Sequence, residues 1–145
     1  MRPKVKFLLD VNALVALTDE DHVHHTAALK WFNAAGRHDW GVCPMTEAGF
    51  LRVVTRPDVG GRSMEEAGEM LIQLAKLPGF RYWPMTAGWI EVAAPLADRI
   101  FGHQQVTDAW LLGLAIRESG VLVTFDRAMR HLAGVDFSRH LLVLG

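Results

Sequence analysis

The sequence has little cysteine, no excess of either charge and no long hydrophobic run. Cys43 is the one cysteine among 145 residues, so no disulfide can form within the chain and a reducing compartment suits it. The formal net charge of −1 excludes the strongly basic surface of many nucleic-acid-binding proteins. The apolar run over 5–9 is too short for a signal peptide or a membrane span. We therefore expect a cytoplasmic protein that does not enter a membrane.

What the chain does contain is enough apolar material for one packed domain. Hydrophobic residues make up 50% of the sequence and charged residues 21%, which is typical of a globular protein and not of a disordered one. A length of 145 residues fits a single core. No linker, repeat or low-complexity segment interrupts the sequence, so we predict one domain over residues 1–145.

Short apolar runs alternate with helical patterns along the whole chain. Strands are predicted over residues 5–9, 40–43, 80–83, 121–125 and 141–144. Helices are predicted over residues 12–17, 22–35, 46–55, 63–77, 89–100, 107–118 and 126–132. Ser63 and Glu66 form a capping box, Ala67, Leu71, Leu74 and Ala75 line the buried side of that helix, and Pro95 should kink or divide the helix over 89–100. The alternation predicts an α/β fold, with a central parallel sheet flanked by helices on both faces.

Four acidic residues are predicted at the edge of this sheet where the strands end. Asp10 and Asp126 directly follow strands, whereas Glu47 and Asp108 lie in the first turns of helices. The functional cleft of a parallel sheet lies beyond the carboxyl ends of its strands. Asp108 reaches that edge only if its helix runs antiparallel to the strand that follows it.

Helix capping is the alternative explanation for each acid taken singly. Thr46 and Thr107 precede Glu47 and Asp108, so each pair fits a threonine N-cap followed by an acid that the helix dipole favours. Asp10 is harder to explain in this way, because a carboxylate that ends a buried strand is costly unless it is paired or bound to a metal.

A cluster of carboxylates without cysteine or histidine is a site of hard oxygen ligands. Such a site suits Mg²⁺ or Mn²⁺. These ions stabilise phosphoryl charge and generate a nucleophile from bound water. The predicted chemistry is therefore hydrolysis of a phosphodiester bond.

Four segments that carry these acids resemble PIN domains, particularly toxins of the VapC type. They are residues 7–17 (FLLDVNALVAL), 46–52 (TEAGFLR), 105–112 (QVTDAWLL) and 123–127 (VTFDR). Each motif is weak alone, but the four occur in the family's order and spacing. The resemblance covers nearly the whole chain.

The resemblance implies a PIN-like fold and a metal-dependent endoribonuclease that acts as the toxin of a toxin–antitoxin pair. It implies RNA as the substrate, Mg²⁺ or Mn²⁺ as the cofactor, a small VapB-like antitoxin that occupies the cleft, and a homodimer. The metal-binding or catalytic acids that it implies are Asp10, Glu47, Asp108 and Asp126. Asn12 and Thr124 resemble the polar residues that family sites place beside the acids, although Asn12 fits a plain helix cap equally well.

Histidines offer two further hypotheses. His22, His24 and His25 suggest zinc by their spacing, but no third ligand is evident, so a hydrated helix start is the favoured interpretation. His103, shortly before Asp108, is a candidate substrate contact or an ordinary loop residue.

Arginines and apolar helix faces suggest two further hypotheses, one about substrate contacts and one about a partner. Three arginines lie on and after the helix of Glu47: Arg52, Arg56 and Arg62. They could hold substrate phosphates or be ordinary surface charges, and we select Arg52 as a possible substrate contact. Trp31 and Phe32 are expected in the core, next to a possible groove for an amphipathic partner helix.

Other α/β proteins also carry acidic residues at the ends of their strands, and two of these classes do not fit the sequence. Receiver domains and haloacid-dehalogenase-type phosphatases need a late lysine after a strand, and the sequence has no lysine after Lys76. The remaining alternative is a catalytically inactive RNA-binding or interaction module with the same fold. The complete set of acids favours the enzyme.

Overall fold

Five short strands form one parallel sheet in the computed structural model, which describes residues 5–145. The strands are β1 (Phe7–Leu9), β2 (Trp40–Val42), β3 (Phe80–Tyr82), β4 (Val121–Thr124) and β5 (Leu141–Val143). Their order across the sheet is β3-β2-β1-β4-β5, and every neighbouring pair is parallel. The first four residues of the predicted domain lie outside the described residues. The predicted parallel sheet is confirmed.

Helices connect each strand to the next within residues 5–145. They are α1 (Val11–Thr18), α2 (His25–Ala34), α3 (Pro44–Val54), α4 (Met64–Ala75), α5 (Trp89–Ala93), α6 (Val106–Arg117) and α7 (Met129–Ala133). Short 3-10 helices cover Gly36–His38, Ala94–Arg99, His103–Gln105 and Ser138–His140. None of the helices within 5–145 has both the length and the apolar character that a membrane crossing requires. The predicted alternation is confirmed, and the element ends lie within three residues of the prediction except at α5, which ends at Ala93.

The helices cover both faces of the sheet, as predicted. Side chains alternate along β1: Phe7 and Leu9 join one core cluster, whereas Leu8 joins the other. The first cluster packs against α1, α2, α3 and α4, and the second packs against α5, α6 and α7. Such two-sided burial explains why the strands are continuous apolar runs.

Three N-caps that the sequence indicated are wrong. Asp10, and not Asn12, caps α1, because its side chain accepts a hydrogen bond from the Val11 N–H. Helix α3 begins at Pro44, a residue preferred in the first turn since it needs no N–H partner there. Thr46 therefore lies inside α3 and, fully buried, donates its hydroxyl to the Leu9 carbonyl at 2.9 Å. Thr107 does not cap either, because α6 begins one residue earlier.

Other local predictions have mixed outcomes. The capping box is confirmed: the Ser63 hydroxyl accepts from the Glu66 N–H, and the Glu66 carboxylate accepts from the Ser63 N–H, both at 3.1 Å. Pro95 divides its helix as expected, since α5 ends at Ala93 and a 3-10 helix follows. Ala75 is exposed and does not line the buried side of α4, whereas Leu74 beside it packs against the core.

Candidate active site

Asp10 lies at the centre of the sheet edge, where β1 ends and α1 begins. Its side chain is 8% exposed and accepts two hydrogen bonds, from the Val11 N–H to Oδ1 at 2.7 Å and from the Thr124 hydroxyl to Oδ2 at 2.8 Å. Burial raises the pKa of Asp10, and the nearby charge of Asp126 raises it further, while the two hydrogen bonds oppose this shift. The carboxylate is thus fixed in position and poorly solvated.

Thr124 and Asn12 link Asp10 to the end of β4. The buried Thr124 hydroxyl also accepts from the Asn12 side-chain amide at 3.2 Å and from the Asp126 N–H at 3.1 Å. The Asn12 Oδ1 accepts from the Phe125 N–H at 3.0 Å. Asn12 is therefore not a helix cap, and both residues lie beside the acids, where the resemblance predicted them.

Asp108 and Asp126 line the same open cleft. The cleft has a volume of about 570 Å³, and both carboxylates line it together with the loop of residues 101–105. Desolvation raises the pKa of Asp108 to about 6, and the charges of Asp10 and Asp126 contribute to this rise. The Asp126 Oδ1 is oriented by the Ala128 N–H at 2.9 Å. The three aspartates are close enough to repel one another.

The topology explains why these aspartates meet. β1 lies between β2 and β4, so the chain leaves β1 in one direction along the sheet and returns to its other side. Ligands of open α/β sheets bind at such a switch point. Asp10 and Asp126 follow the two strands that flank it, and α6 packs against β4 so that its N-terminal turn, with Asp108, reaches the same edge.

Glu47 lies at the same sheet edge but has a different partner. It is in the first turn of α3, and its carboxylate accepts a hydrogen bond from the hydroxyl of Tyr82, the last residue of β3. This contact is the main reason why the pKa of Tyr82 rises to about 12, because losing the phenol proton would place two negative charges together. Glu47 does not contribute to the pKa shifts of Asp10 or Asp108.

The donor chemistry of the aspartates fits a hard divalent cation. Asp10, Asp108 and Asp126 present oxygen ligands only, and their mutual repulsion is what a bound cation would relieve. Within residues 5–145, however, no three acidic, histidine or cysteine side chains lie close enough together to ligate one ion.

The two predicted substrate contacts, His103 and Arg52, lie in different grooves. His103 lines the cleft with Asp108 and Asp126, as its proposed role requires. Arg52 lines a different groove of about 550 Å³, together with Val11 and Arg56. Arg56 is paired with Asp58 at 2.8 Å.

Two features of this edge were not predicted from the sequence. Tyr82 ends a strand just as Asp10 and Thr124 do, so the rule of the carboxyl edge, applied to β3, could have identified it. The stacking of His24 on Phe125 has no signal in the sequence, because the two residues are about a hundred positions apart.

The fold and the cleft define an α/β protein with an acidic site at the switch point of a parallel sheet. The chain belongs to the PIN domain family, whose pattern matches residues 7–135. Ribonuclease VapC38 of Mycobacterium tuberculosis (strain ATCC 25618 / H37Rv) is 43% identical over 128 residues, which cover 87% of this chain and 89% of that protein.

Solved structures agree on the fold. VapC20 of Mycobacterium tuberculosis, described as a sarcin-ricin loop cleaving toxin, superposes with a TM-score of 0.61 at 15% identity, covering 92% of this chain and 94% of that one. VapBC2 from Rickettsia felis, bound to a DNA fragment from their promoter, superposes with a TM-score of 0.61 at 14% identity. The match covers 97% of this chain and 100% of that one. At these identities the likeness extends to the fold alone.

Proposed function

We propose that the chain is a metal-dependent endoribonuclease and the toxin of a toxin–antitoxin pair. The observation that carries this proposal is the group of three mutually repelling aspartates, Asp10, Asp108 and Asp126, at the edge of an open cleft. The similarity to a protein named as a ribonuclease supports RNA as the substrate. The toxin named for cleaving the sarcin-ricin loop supports the same substrate class.

Each residue has a role that follows from its environment. Mg²⁺ or Mn²⁺, when bound, would neutralise phosphoryl charge and lower the pKa of a bound water. Asp10, Asp108 and Asp126 would hold the cation, and Glu47 would complete the set of four carboxylates from the side of α3. Asn12 and Thr124 fix the position of Asp10 through hydrogen bonds.

The substrate strand would lie in the cleft between the aspartates and the loop of residues 101–105. His103 is placed to contact an RNA phosphate or base there. Arg52 would contact the strand outside the cleft, in the groove beside Val11.

The test is cleavage of RNA by the purified chain with Mg²⁺ or Mn²⁺ and with EDTA. We expect cleavage of single-stranded or loop RNA that stops in EDTA and in the Asp10→Asn variant. The matched control is Asp98→Asn, which changes an exposed aspartate outside the cleft and should cleave like the wild type. RNA binding without cleavage under all conditions would instead establish an inactive binding module. Full cleavage in EDTA would refute the metal.

We further propose a small VapB-like antitoxin as the partner and a homodimer as the active form in the cytoplasm. The likeness to VapBC2 supports the partner. A groove of about 940 Å³ between α2 and α4 is a suitable seat for an amphipathic helix of the antitoxin. Phe32 and Met70 are among its apolar lining residues, and its charged lining residues are Arg62, Glu65, Glu66 and Glu69, so acidic side chains predominate. These acidic side chains favour a partner helix with basic residues.

A further inference from the structure

His24 lies flat against Phe125 at the sheet edge that carries the aspartates. The ring centroids are 4.5 Å apart and the ring planes differ by 12°. His24 is exposed, whereas Phe125 is half-buried. The ring of His22 is 5.7 Å from that of His24 and tilted by 41°, so it does not cover His24 face to face. The pair therefore presents an aromatic face to solvent.

Hydrogen bonds hold the backbone of both members of this pair in place. The Phe125 N–H donates to the Asn12 side chain at 3.0 Å, which fixes the backbone under the ring. The His24 N–H donates to the His22 ring at 3.0 Å, and the His25 ring bonds to the Ala16 carbonyl at 2.8 Å. Because contacts within the protein hold this backbone and the two rings stack on each other, binding of a base would order little additional main chain.

The position of this aromatic pair relates it to the cleft. Phe125 lies between Thr124, which bonds to Asp10, and Asp126, which lines the cleft. Consecutive Cα atoms are about 3.8 Å apart, so the Phe125 backbone is one residue from Asp126, while the Phe125 ring packs on the side of the sheet that carries α1 to α4 and borders the acidic edge from there. A nucleotide whose phosphate lies near Asp126 would have its base, or that of its neighbour, within reach of the pair.

We propose that His24 and Phe125 form a stacking subsite for one unpaired base of the RNA substrate. The inference rests on the proposed function and adds to it a recognition element for single-stranded RNA. Bases of single-stranded RNA stack on aromatic side chains, and such stacking tolerates any base because every base has a π-face. A base within a duplex is already stacked and would not reach the subsite.

The experiment measures binding of a short fluorescent oligoadenylate by fluorescence anisotropy, with Mg²⁺. The parent protein is Asp108→Asn, which prevents cleavage during the measurement. His24→Ala in this parent should weaken binding by at least about fivefold, the loss expected for one base–aromatic stack. His24→Phe should bind within about twofold of the parent, because it keeps the ring. His38→Ala, an exposed histidine at the opposite edge of the sheet before β2, is the matched control and should bind like the parent.

A second arm replaces one adenylate at a time with an abasic nucleotide. At one position, loss of the base should weaken binding to the parent but have no further effect on the His24→Ala variant. Equal binding by His24→Ala and the parent would overturn the proposal. So would a His24→Lys variant that restores binding while His24→Phe does not, because charge and not stacking would then be responsible. Cleavage of RNA by the wild-type chain, assayed in parallel, tests the proposed nuclease separately.

Discussion

Neutralising Asp108 should stabilise the metal-free protein. The pKa of Asp108 rises from 3.8 to about 6, which corresponds to on the order of 3 kcal/mol if taken in full. Asp108 is only half-buried, so solvent screening reduces this to roughly 1–2 kcal/mol. Asp108→Asn removes the penalty, but it also loses an interaction with the N-terminus of α6 that contributes about 0.3–1 kcal/mol. The free energy of unfolding of the variant should therefore be higher than that of the wild type by on the order of 1 kcal/mol.

The pH dependence of this gain has a definite sign. Because the pKa of Asp108 is higher in the folded state than in the unfolded state, folding favours the protonated form. The contribution to stability is complete below about pH 3.8 and is lost as pH rises through about 6. The free energy of unfolding of the variant should therefore exceed that of the wild type most above pH 7, and by less at pH 5.

Thermal melts in EDTA at these two pH values test the reasoning. A gain of this size should raise the Tm of Asp108→Asn by about 2–4 °C at pH 7.5. Added Mg²⁺ should raise the Tm of the wild type more than that of the variant, because a ligand that binds the folded state stabilises it. Asp98→Asn should leave the Tm unchanged. A variant that melts lower in EDTA and keeps the full Mg²⁺ shift would show that Asp108 acts only at the helix start.

Two further predictions follow from contacts described above or from helix packing. Tyr82 is the single tyrosine, so ultraviolet titration should show a phenol still largely protonated at pH 11, with a pKa that falls towards 10 in Glu47→Ala; a normal titration in the wild type would disprove the contact. Gly68→Ala should raise the free energy of unfolding by about 1 kcal/mol, since a Cβ there meets nothing within 4 Å. Gly113→Ala should lower the free energy of unfolding, because its Cβ would clash with the Val92 carbonyl oxygen; equal effects in urea melts would contradict the packing of α5 on α6.

The sequence was a good guide to the fold because its apolar runs are short and continuous. A strand buried on both faces needs such runs, and all five were found within a few residues of their ends. Helix starts were less predictable, because a threonine followed by an acid fits a cap as well as an interior position. Thr46 lies inside the helix and not at its cap, because its hydroxyl donates a hydrogen bond to the Leu9 carbonyl, 37 residues away in the chain.

The sequence indicated which acidic residues would meet at the sheet edge, but not how they are arranged there. The ends of strands located Asp10 and Asp126, and the short turn before β4 placed Asp108 beside them. The separate position of Glu47 depends on Tyr82, whose approach to α3 is set by the packing of β3 against β2. Long-range pairs of this kind, like His24 with Phe125, arise from tertiary structure and leave no local pattern.

The Thr124 hydroxyl uses its whole hydrogen-bonding capacity within the protein. A hydroxyl has one proton and two lone pairs. The proton goes to Asp10, and the lone pairs receive the Asn12 amide and the Asp126 N–H. Nothing remains for water, metal or RNA, so Thr124 contributes to the site without touching what binds there. The Asn12 amide and the Asp126 N–H donate to Thr124, and Thr124 in turn donates to Asp10, which favours the ionised form of that carboxylate. Part of the electrostatic character of the cleft is therefore set when the chain folds.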